Sequence, residues 1–506
     1  MAVGRMPMYY NFAAMAVTDA RESAAGATVK PRRGRERNRS MLRLNDGARI
    51  DATESLTKVG SIDRLAGREV MVQMQSVNCE LLVIGGGPCG STAAALARKS
   101  GLSVILAEKD AFPRFHIGES LLPMANGILR ESGAWPKVAA AGFVDKFGAR
   151  FCIADGVAKK RIDFSRGLVP GLEQTFQVER AKFDHILLEH ARSEGVDVRQ
   201  DRKVTALEQS PHGVSAVLET ADGTRESVRA RWCIDASGRE NHFASAMKRE
   251  LDPPMLERRV AVYSHFSGLP RESGPEGGDT IVVRLDDGWF WIIPIDAVKT
   301  SVGLVTTIDA MRANGRDPEV VFRQAVADSP YLRERFAPAQ AVMSFHVTAD
   351  YSYFRKELAR DRIVLAGDAG GFFDPIFSSG VYMALWSASQ AVAMIVRAHA
   401  SGRPIPARAC ARYSRRIKRH AGVFGRLIRS FYDGPSFSIF MTPRPPFDVE
   451  RGINSIVAGH ARLIWPLRWR LHLFLFFCWL NRHVNLAPRL SIASRVRNSE
   501  AEAAAA

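Results

Sequence analysis

One stretch limits the fold more than any other, because its glycines stand between a buried-type strand and a helix. Cys79-Glu-Leu-Leu-Val-Ile84 is a short, mostly apolar run of the kind that forms a strand covered on both faces. Gly85-x-Gly87-x-x-Gly90 follows at once. Ser91–Ser100 (STAAALARKS) has the small-residue composition of a closely packed helix, and Val104–Glu108 reads as a second strand. In such a βαβ unit Gly85 permits the tight turn, Gly87 lets backbone approach a pyrophosphate, and Gly90 lets helix lie on strand. The helix N-terminus attracts the phosphates. Glu108 ends the second strand, where a carboxylate can bind the adenosine ribose. Dinucleotide binding is therefore the first expectation.

The pattern beyond this unit mixes helices and strands. A helix is expected over Phe183–Ser193, and strands over Val196–Arg199, Val204–Glu208, Val214–Glu219 and Ser227–Ile234. Residues 258–307 hold alternating or continuous apolar strands, as an antiparallel sheet would. Ile363–Ala366 returns to a buried strand, and Gly380–Ala400 is a long helix. The expected fold is α/β, with a Rossmann-like nucleotide-binding domain, an antiparallel β-sheet substrate domain and a helical C-terminal region. The expected boundaries are 77–400 for the nucleotide domain, with substrate-sheet segments near 143–180 and 255–350, and 401–506 for the helical region. Residues 1–76 are polar, weakly patterned and rich in Arg, Ala and Gly, as a disordered extension is. Met71 and Met74 offer an alternative start just before the first strand.

The chain has 506 residues and a net charge of +17. Its positive charge is uneven, with one cluster from Lys30 to Arg43 and another from Arg408 to Arg429. Clustered arginine can mark nucleic acid, but a solvated charged face is the simpler reading, and nucleic acid is not expected. The six cysteines are scattered without a CxxC pair or a His/Cys cluster, so neither a disulfide framework nor a metal site is expected. A reducing cytoplasm is the expected location. Trp465–Leu480 is aromatic, apolar and basic. It reads as a helix that packs on the core, covers the active site or touches a membrane surface.

Two later segments favour FAD over NAD. Cys233-Ile-Asp235-Ala-Ser-Gly238 ends a strand in a turn, and Leu365-Ala-Gly367-Asp368-Ala-Gly370 ends another and opens toward a helix. Both resemble segments of the aromatic-hydroxylase flavoproteins. That resemblance implies that Asp368 binds the flavin ribityl or ribose and that Arg180, in Gln177-Val-Glu-Arg180, contacts the flavin. A second glycine fingerprint for NAD(P)H is not found, which implies a separate flavin reductase as the source of reduced FAD.

Three further motifs narrow the class. Trp289-Phe-Trp291-Ile-Ile-Pro294 resembles the Trp-x-Trp-x-Ile-Pro element of the flavin-dependent halogenases. Phe372-Phe-Asp374-Pro375-Ile-Phe-Ser378-Ser-Gly380 resembles their Phe-x-x-Pro-x-x-Ser-x-Gly. Lys146, in Phe143-Val-Asp-Lys146-Phe-Gly, follows Gly118-Glu-Ser-Leu-Leu-Pro123 as the family's essential lysine does. The resemblance implies that Trp289, Trp291 and Pro294 form a rigid apolar wall beside the flavin. It also implies that Pro375, Ser378 and Gly380 surround the flavin ring and a halide ion. Lys146 would hold hypohalous acid, made from halide and oxygen activated on reduced FAD, by hydrogen bonding or as a haloamine, and deliver the halogen to an aromatic carbon. Tryptophan-halogenating relatives carry Glu-Pro-Leu-Glu-Ser where this chain has Asp374-Pro-Ile-Phe377-Ser378. Asp374-Pro-Ile-Phe-Ser-Ser and the Gly-Glu-Ser-Leu-Leu-Pro form resemble the phenol and pyrrole halogenases instead, which implies a phenolic or pyrrolic substrate. The basic charge of the 408–429 helix alone suggests docking of an acidic acyl-carrier protein that presents a tethered substrate. The competing readings are a related monooxygenase or reductase without halide chemistry, and a basic flavoprotein that binds nucleic acid or membrane without turnover.

Overall fold

The computed structural model describes residues 76–240, 251–252, 256–313, 317–349 and 352–490. The expected extension over 1–76, with its basic cluster from Lys30 to Arg43, lies outside them except for Ser76. The chain opens with β1 (Ser76–Ile84), α1 (Pro88–Lys99) and β2 (Val104–Ala107). β1 starts three residues before the apolar run, because Ser76, Val77 and Asn78 extend the parallel ladder. After α2 (Pro123–Ser132) come four short strands, β3 (Val144–Lys146), β4 (Gly148–Ile153), β5 (Lys159–Asp163) and β6 (Thr175–Gln177). Then follow α3 (Arg180–Ser193), β7 (Asp197–Arg199), β8 (Lys203–Ser210), β9 (Gly213–Glu219) and β10 (Arg225–Asp235).

These elements build the first sheet, in the order β7-β2-β1-β10-β9-β8. β10 is the hinge of its topology. One edge of β10 runs parallel to β1, while the other pairs antiparallel with β9 and then parallel with β15 (Ile363–Leu365). Leu81–Ile84 and Val104–Ala107 are wholly buried, as parallel strands covered on both faces must be. α1 lies over them on Ala93, Ala94 and Ala97, whose small side chains let the helix approach closely.

The second sheet is antiparallel in most of its pairings. Its centre is β11 (Arg259–Ser267), β14 (Thr300–Thr307), β13 (Gly288–Pro294) and β12 (Thr280–Arg284), and β12 continues into β4 and β5. So β4 and β5, which lie more than 100 residues before β12 in the chain, complete this sheet. All seven residues of β13 are buried. From Ser379 on, the described chain is helical: α4 (Ser379–Ser401), α5 (Ala407–Tyr432), α6 (Gly434–Met441), α7 (Val449–Val457) and α8 (Trp465–His483). α4 is apolar along its length because it is a core helix, packed against α1 and α5.

Candidate active site

The nucleotide cradle is built where β1 meets α1. Gly87 caps α1 without any side-chain cap, which leaves first-turn N–H groups directed at the approach path of an anion. A side chain at Gly87 would find only Arg114 Nη2, 3.5 Å from its Cβ. The space that a pyrophosphate needs is therefore open. At Gly90 the opposite holds: a Cβ would lie 1.8 Å from the carbonyl oxygen of Gly85. Gly85 itself has φ of +100° and packs against the Ala236 carbonyl. Glu108, buried at the end of β2, accepts hydrogen bonds from the N–H groups of Gly86 and Asp110. Those bonds hold its carboxylate on the loop where a ribose would lie.

Two more groups converge from distant segments. Asp368 sits in the turn after β15, and its carbonyl accepts a hydrogen bond from the Tyr353 hydroxyl. Desolvation pushes its carboxyl up to about 6, opposed by the positive charges of Arg239 and Arg180. Arg180 is buried, with Nε and Nη2 donating to the two oxygens of Asp184 at 2.7 and 2.8 Å. Its Nη1 donates to the carbonyls of Ile117 and Gly118. The guanidinium thus pins the 117–118 loop to α3, and its charge reaches Asp368 from there. The helix-start amides, open pyrophosphate path, ribose-side carboxylate and Asp368 form a donor set that fits FAD.

Lys146 is the least expected side chain in the molecule, because a long cation lies 1% exposed. It ends β3, paired with Thr175 of β6. Its Nζ donates to Ser120 Oγ at 2.7 Å and to the Leu121 carbonyl at 3.0 Å. Ser120 Oγ continues to Thr280 Oγ1 at 3.0 Å, and Gln177 Nε2 reaches the same Thr280 at 2.9 Å. Burial pushes the amine down to about 7, with Asp279 opposing the shift.

Trp289 and Trp291 lie on the same side of β13, with ring centroids 6.0 Å apart. Trp291 stands opposite Gly303 of β14, and a Cβ at Gly303 would meet the indole at 2.1 Å. The missing side chain lets the ring lie flat on the next strand. Pro294 ends β13, buried and paired with Thr300. Trp289 Nε1 donates to the Tyr432 hydroxyl at 2.8 Å, and that hydroxyl donates to Asp374 Oδ2 at 2.8 Å. Asp374 Oδ1 accepts the Ile376 N–H and so caps the short turn Pro375–Phe377. Ser378 then takes φ of +54° and starts α4, again without a side-chain cap. The open N–H groups at that helix start, with Ser379 and Gly380 in its first turn, suit a halide. Pro375, Ser378 and Gly380 therefore share one short turn and the helix start that follows it. The Trp289–Tyr432–Asp374 chain ties that turn to the tryptophan wall.

Comparison with known proteins places the family and the cofactor. A family described as FAD binding domain matches residues 78–402. The chain is 35% identical over 350 residues to the chlorinase of 1H-pyrrole-2-carbonyl peptidyl-carrier protein from Pseudomonas fluorescens, covering 64% of this chain and 77% of that one. The chain belongs to the flavin-dependent halogenases. Among solved structures, the flavin-dependent brominase Bmp2 superposes with a TM-score of 0.70 at 28% identity, covering 79% of this halogenase and 99% of that chain. A flavoprotein/dehydrogenase from Cytophaga hutchinsonii superposes with a TM-score of 0.75 at 30% identity, covering 80% of this halogenase and 99% of that chain. FAD is the cofactor and the α/β fold is as expected.

Several residues of this halogenase site gave no sequence signal of their own. Glu119 is buried, and its Oε1 lies 2.7 Å from Nε2 of the buried His265 while Oε2 meets no hydrogen-bond partner. Segment 119–121 pairs with 176–178 in extended form. Successive side chains of an extended segment point to opposite sides. Ser120 therefore faces Lys146, and Glu119 faces His265, with the charge of Arg180 nearby. Glu119 was visible only as part of the spacing that marks Lys146. Tyr432 lies 143 residues from Trp289. Tyr432→Phe leaves both the Trp289 N–H and an Asp374 oxygen without their partner. The variant is expected to lose about 1–3 kcal/mol of stability, measured by denaturant unfolding. Stability equal to the parent enzyme would show that the chain does not hold the turn.

Proposed function

We propose that this halogenase places chlorine or bromine on an electron-rich phenolic or pyrrolic ring through Lys146. The supporting observation is the buried, hydrogen-bonded Lys146 amine. Desolvating a cation costs far more than packing an apolar residue, so such a site is kept for a reason other than stability. Reduced FAD, supplied by a separate reductase, brings the chemistry that combines O2 and halide into hypohalous acid. The neutral amine has two N–H bonds, and Ser120 Oγ and the Leu121 carbonyl accept both. One lone pair remains for the oxidant. Condensation of that amine with hypohalous acid forms an N–halogen bond and releases water. The aromatic ring then takes the halogen, and its proton restores the amine. Product formation should therefore rise with pH through about 7 and level off above it, following the neutral form of Lys146. A rate that falls over that range would instead assign the work to the ammonium form.

The ring class is argued from Phe377. It is buried against Phe151 and Phe440, at centroid distances of 5.9 and 6.2 Å, in the position where tryptophan-halogenating relatives carry a glutamate. An apolar wall there suits a ring already activated by its own oxygen or nitrogen. A carrier-tethered ring is favoured by the carrier-protein substrate in the name of the Pseudomonas relative. On the outside of α5, Arg408, Arg412, Arg415 and Arg419 form an exposed stripe that suits an acidic carrier domain. The test is turnover of pyrrolyl and phenolic acyl groups on a carrier domain against the free acids, with and without bromide. Halogenated product from the tethered form alone supports this reading. Equal turnover of the free acids removes the carrier. The similarity to a flavoprotein/dehydrogenase keeps a second reading in view, an oxidoreductase without halide chemistry. Product that forms equally without halide would establish it.

A further inference from the structure

The last helix has two faces with different fates. Leu467, Leu471, Phe474, Cys478 and Asn481 bury the inner face of α8 against the rest of the helical region. Asn481 fixes it further by donating to the Pro435 carbonyl at 2.8 Å and accepting from the Ala487 N–H at 2.9 Å. The outer face is aromatic and wet. Trp465, Phe476 and Trp479 are 68, 49 and 53% exposed. With Trp469, His472 and His483 they recur every three or four residues, so they form one continuous stripe. Phe476 stacks on Trp479 at 5.9 Å, and Trp479 lies 5.1 Å from the His483 ring. Val484 and Leu486 extend the apolar surface past the helix end, at 55 and 48% exposed. Scattered exposed apolar residues are ordinary, but an ordered aromatic row is not.

The charge around the stripe has one sign. From Arg451 to Leu490 the chain carries six arginines, three histidines and no acidic residue. Arg468, Arg482 and Arg489 are exposed. The acids that reach α8 from other elements are Asp433, 3.3 Å from Arg482, and Asp448, 3.8 Å from Arg470.

We propose that the outer face of α8 docks the protein on an anionic lipid surface. Indole rings favour the boundary between water and hydrocarbon, where the apolar ring is covered and the N–H stays wet. Arginines beside them meet lipid phosphates, and their apolar stems lie along the acyl boundary. The stripe runs about 27 Å along a straight helix, a length that a plane covers whole. A second copy would bring like charges together, Arg468, Arg482 and Arg489 against their equivalents, in a chain of net charge +17. The inner face is held by the core, so the helix lies on the surface and does not insert.

The test uses the full-length, FAD-loaded protein and sedimenting vesicles of phosphatidylcholine, alone or with about a quarter phosphatidylglycerol. The protein is expected to sediment with the anionic vesicles at low salt and to be released at high salt. Trp465→Ser with Trp479→Ser should lower partitioning about tenfold or more. Arg468→Gln should lower it about fivefold. Both variants alter exposed side chains, and retained FAD absorbance shows that they fold. No sedimentation with anionic vesicles, or equal partitioning of the double-tryptophan variant, would overturn the proposal. So would a dimer that Trp479→Ser dissociates, or an acidic carrier domain that binds the face in place of vesicles.

Discussion

Lys146→Met is expected to make the protein more stable and to end halogenation. The two effects have one cause. Burial lowers the amine in the folded chain to about 7 from its ordinary value of 10.5. Between those pH values the unfolded chain binds the proton and the folded chain does not, so stability rises with pH across that window. Full stability is present above about 10.5 and is lost as pH falls toward 7, below which the whole desolvation penalty applies. Methionine fills a similar volume without a charge. It forgoes the hydrogen bonds to Ser120 and Leu121, which are worth about 1 kcal/mol each. The variant should gain on the order of 2–4 kcal/mol at pH 7, and the gain should shrink as pH approaches 10. Unfolding of both proteins across that range is the measurement. Lys146 makes no bond within the nucleotide cradle, so FAD should be retained and reduced flavin still consumed. Halogenated product should fall by at least about a thousandfold, as expected when a covalent relay is removed. A variant that is less stable at every pH would make the lysine a structural anchor.

Gly87→Val and Gly90→Ala, three residues apart, should fail in different ways. At Gly87 the added side chain meets only the flexible end of Arg114, so the protein should fold. The branched group then occupies the path of the pyrophosphate, and FAD binding should weaken by about three orders of magnitude or more, read by fluorescence titration. At Gly90 even one methyl group would stand 1.8 Å from the Gly85 carbonyl, a backbone atom that cannot turn away. That variant should lose the α1–β1 packing and be recovered unfolded or not at all. Normal FAD affinity in Gly87→Val would move the pyrophosphate away from the helix start. A folded Gly90→Ala that binds FAD would show that the loop can open.

The nucleotide unit was legible because its reasons are local. A buried strand, a turn that only glycine fits and a small-residue helix are contiguous, and their steric needs show in the residue types. Lys146, Trp289, Trp291, Pro294 and Ser378 were legible only as motifs. Neither hydropathy nor spacing says that a lysine at the end of a three-residue strand is buried. What stayed hidden depends on register and crossover. Gly303 matters because Trp291 stands opposite it across the β13–β14 pairing. Tyr432 matters because the last residue of a basic helix comes back over β13. Glu119 and His265 meet across 146 residues. The aromatic segment after residue 464 left packing and surface contact open. Apolar and aromatic residues fall on every side of the helix, and only the inner-face contacts separate Leu471 and Phe474 from Trp465 and Trp479.

Halogen transfer through Lys146 is tested most directly by the mass spectrum of the product formed by the FAD-loaded enzyme. The assay supplies a flavin reductase, NADH, O2, bromide and a panel of carrier-tethered and free phenols and pyrroles. The parent enzyme is expected to give a product with the paired isotope pattern of bromine and Lys146→Met none, with flavin consumed at similar rates by both. Full brominated product from Lys146→Met, or a product that gains oxygen regardless of halide, would contradict it.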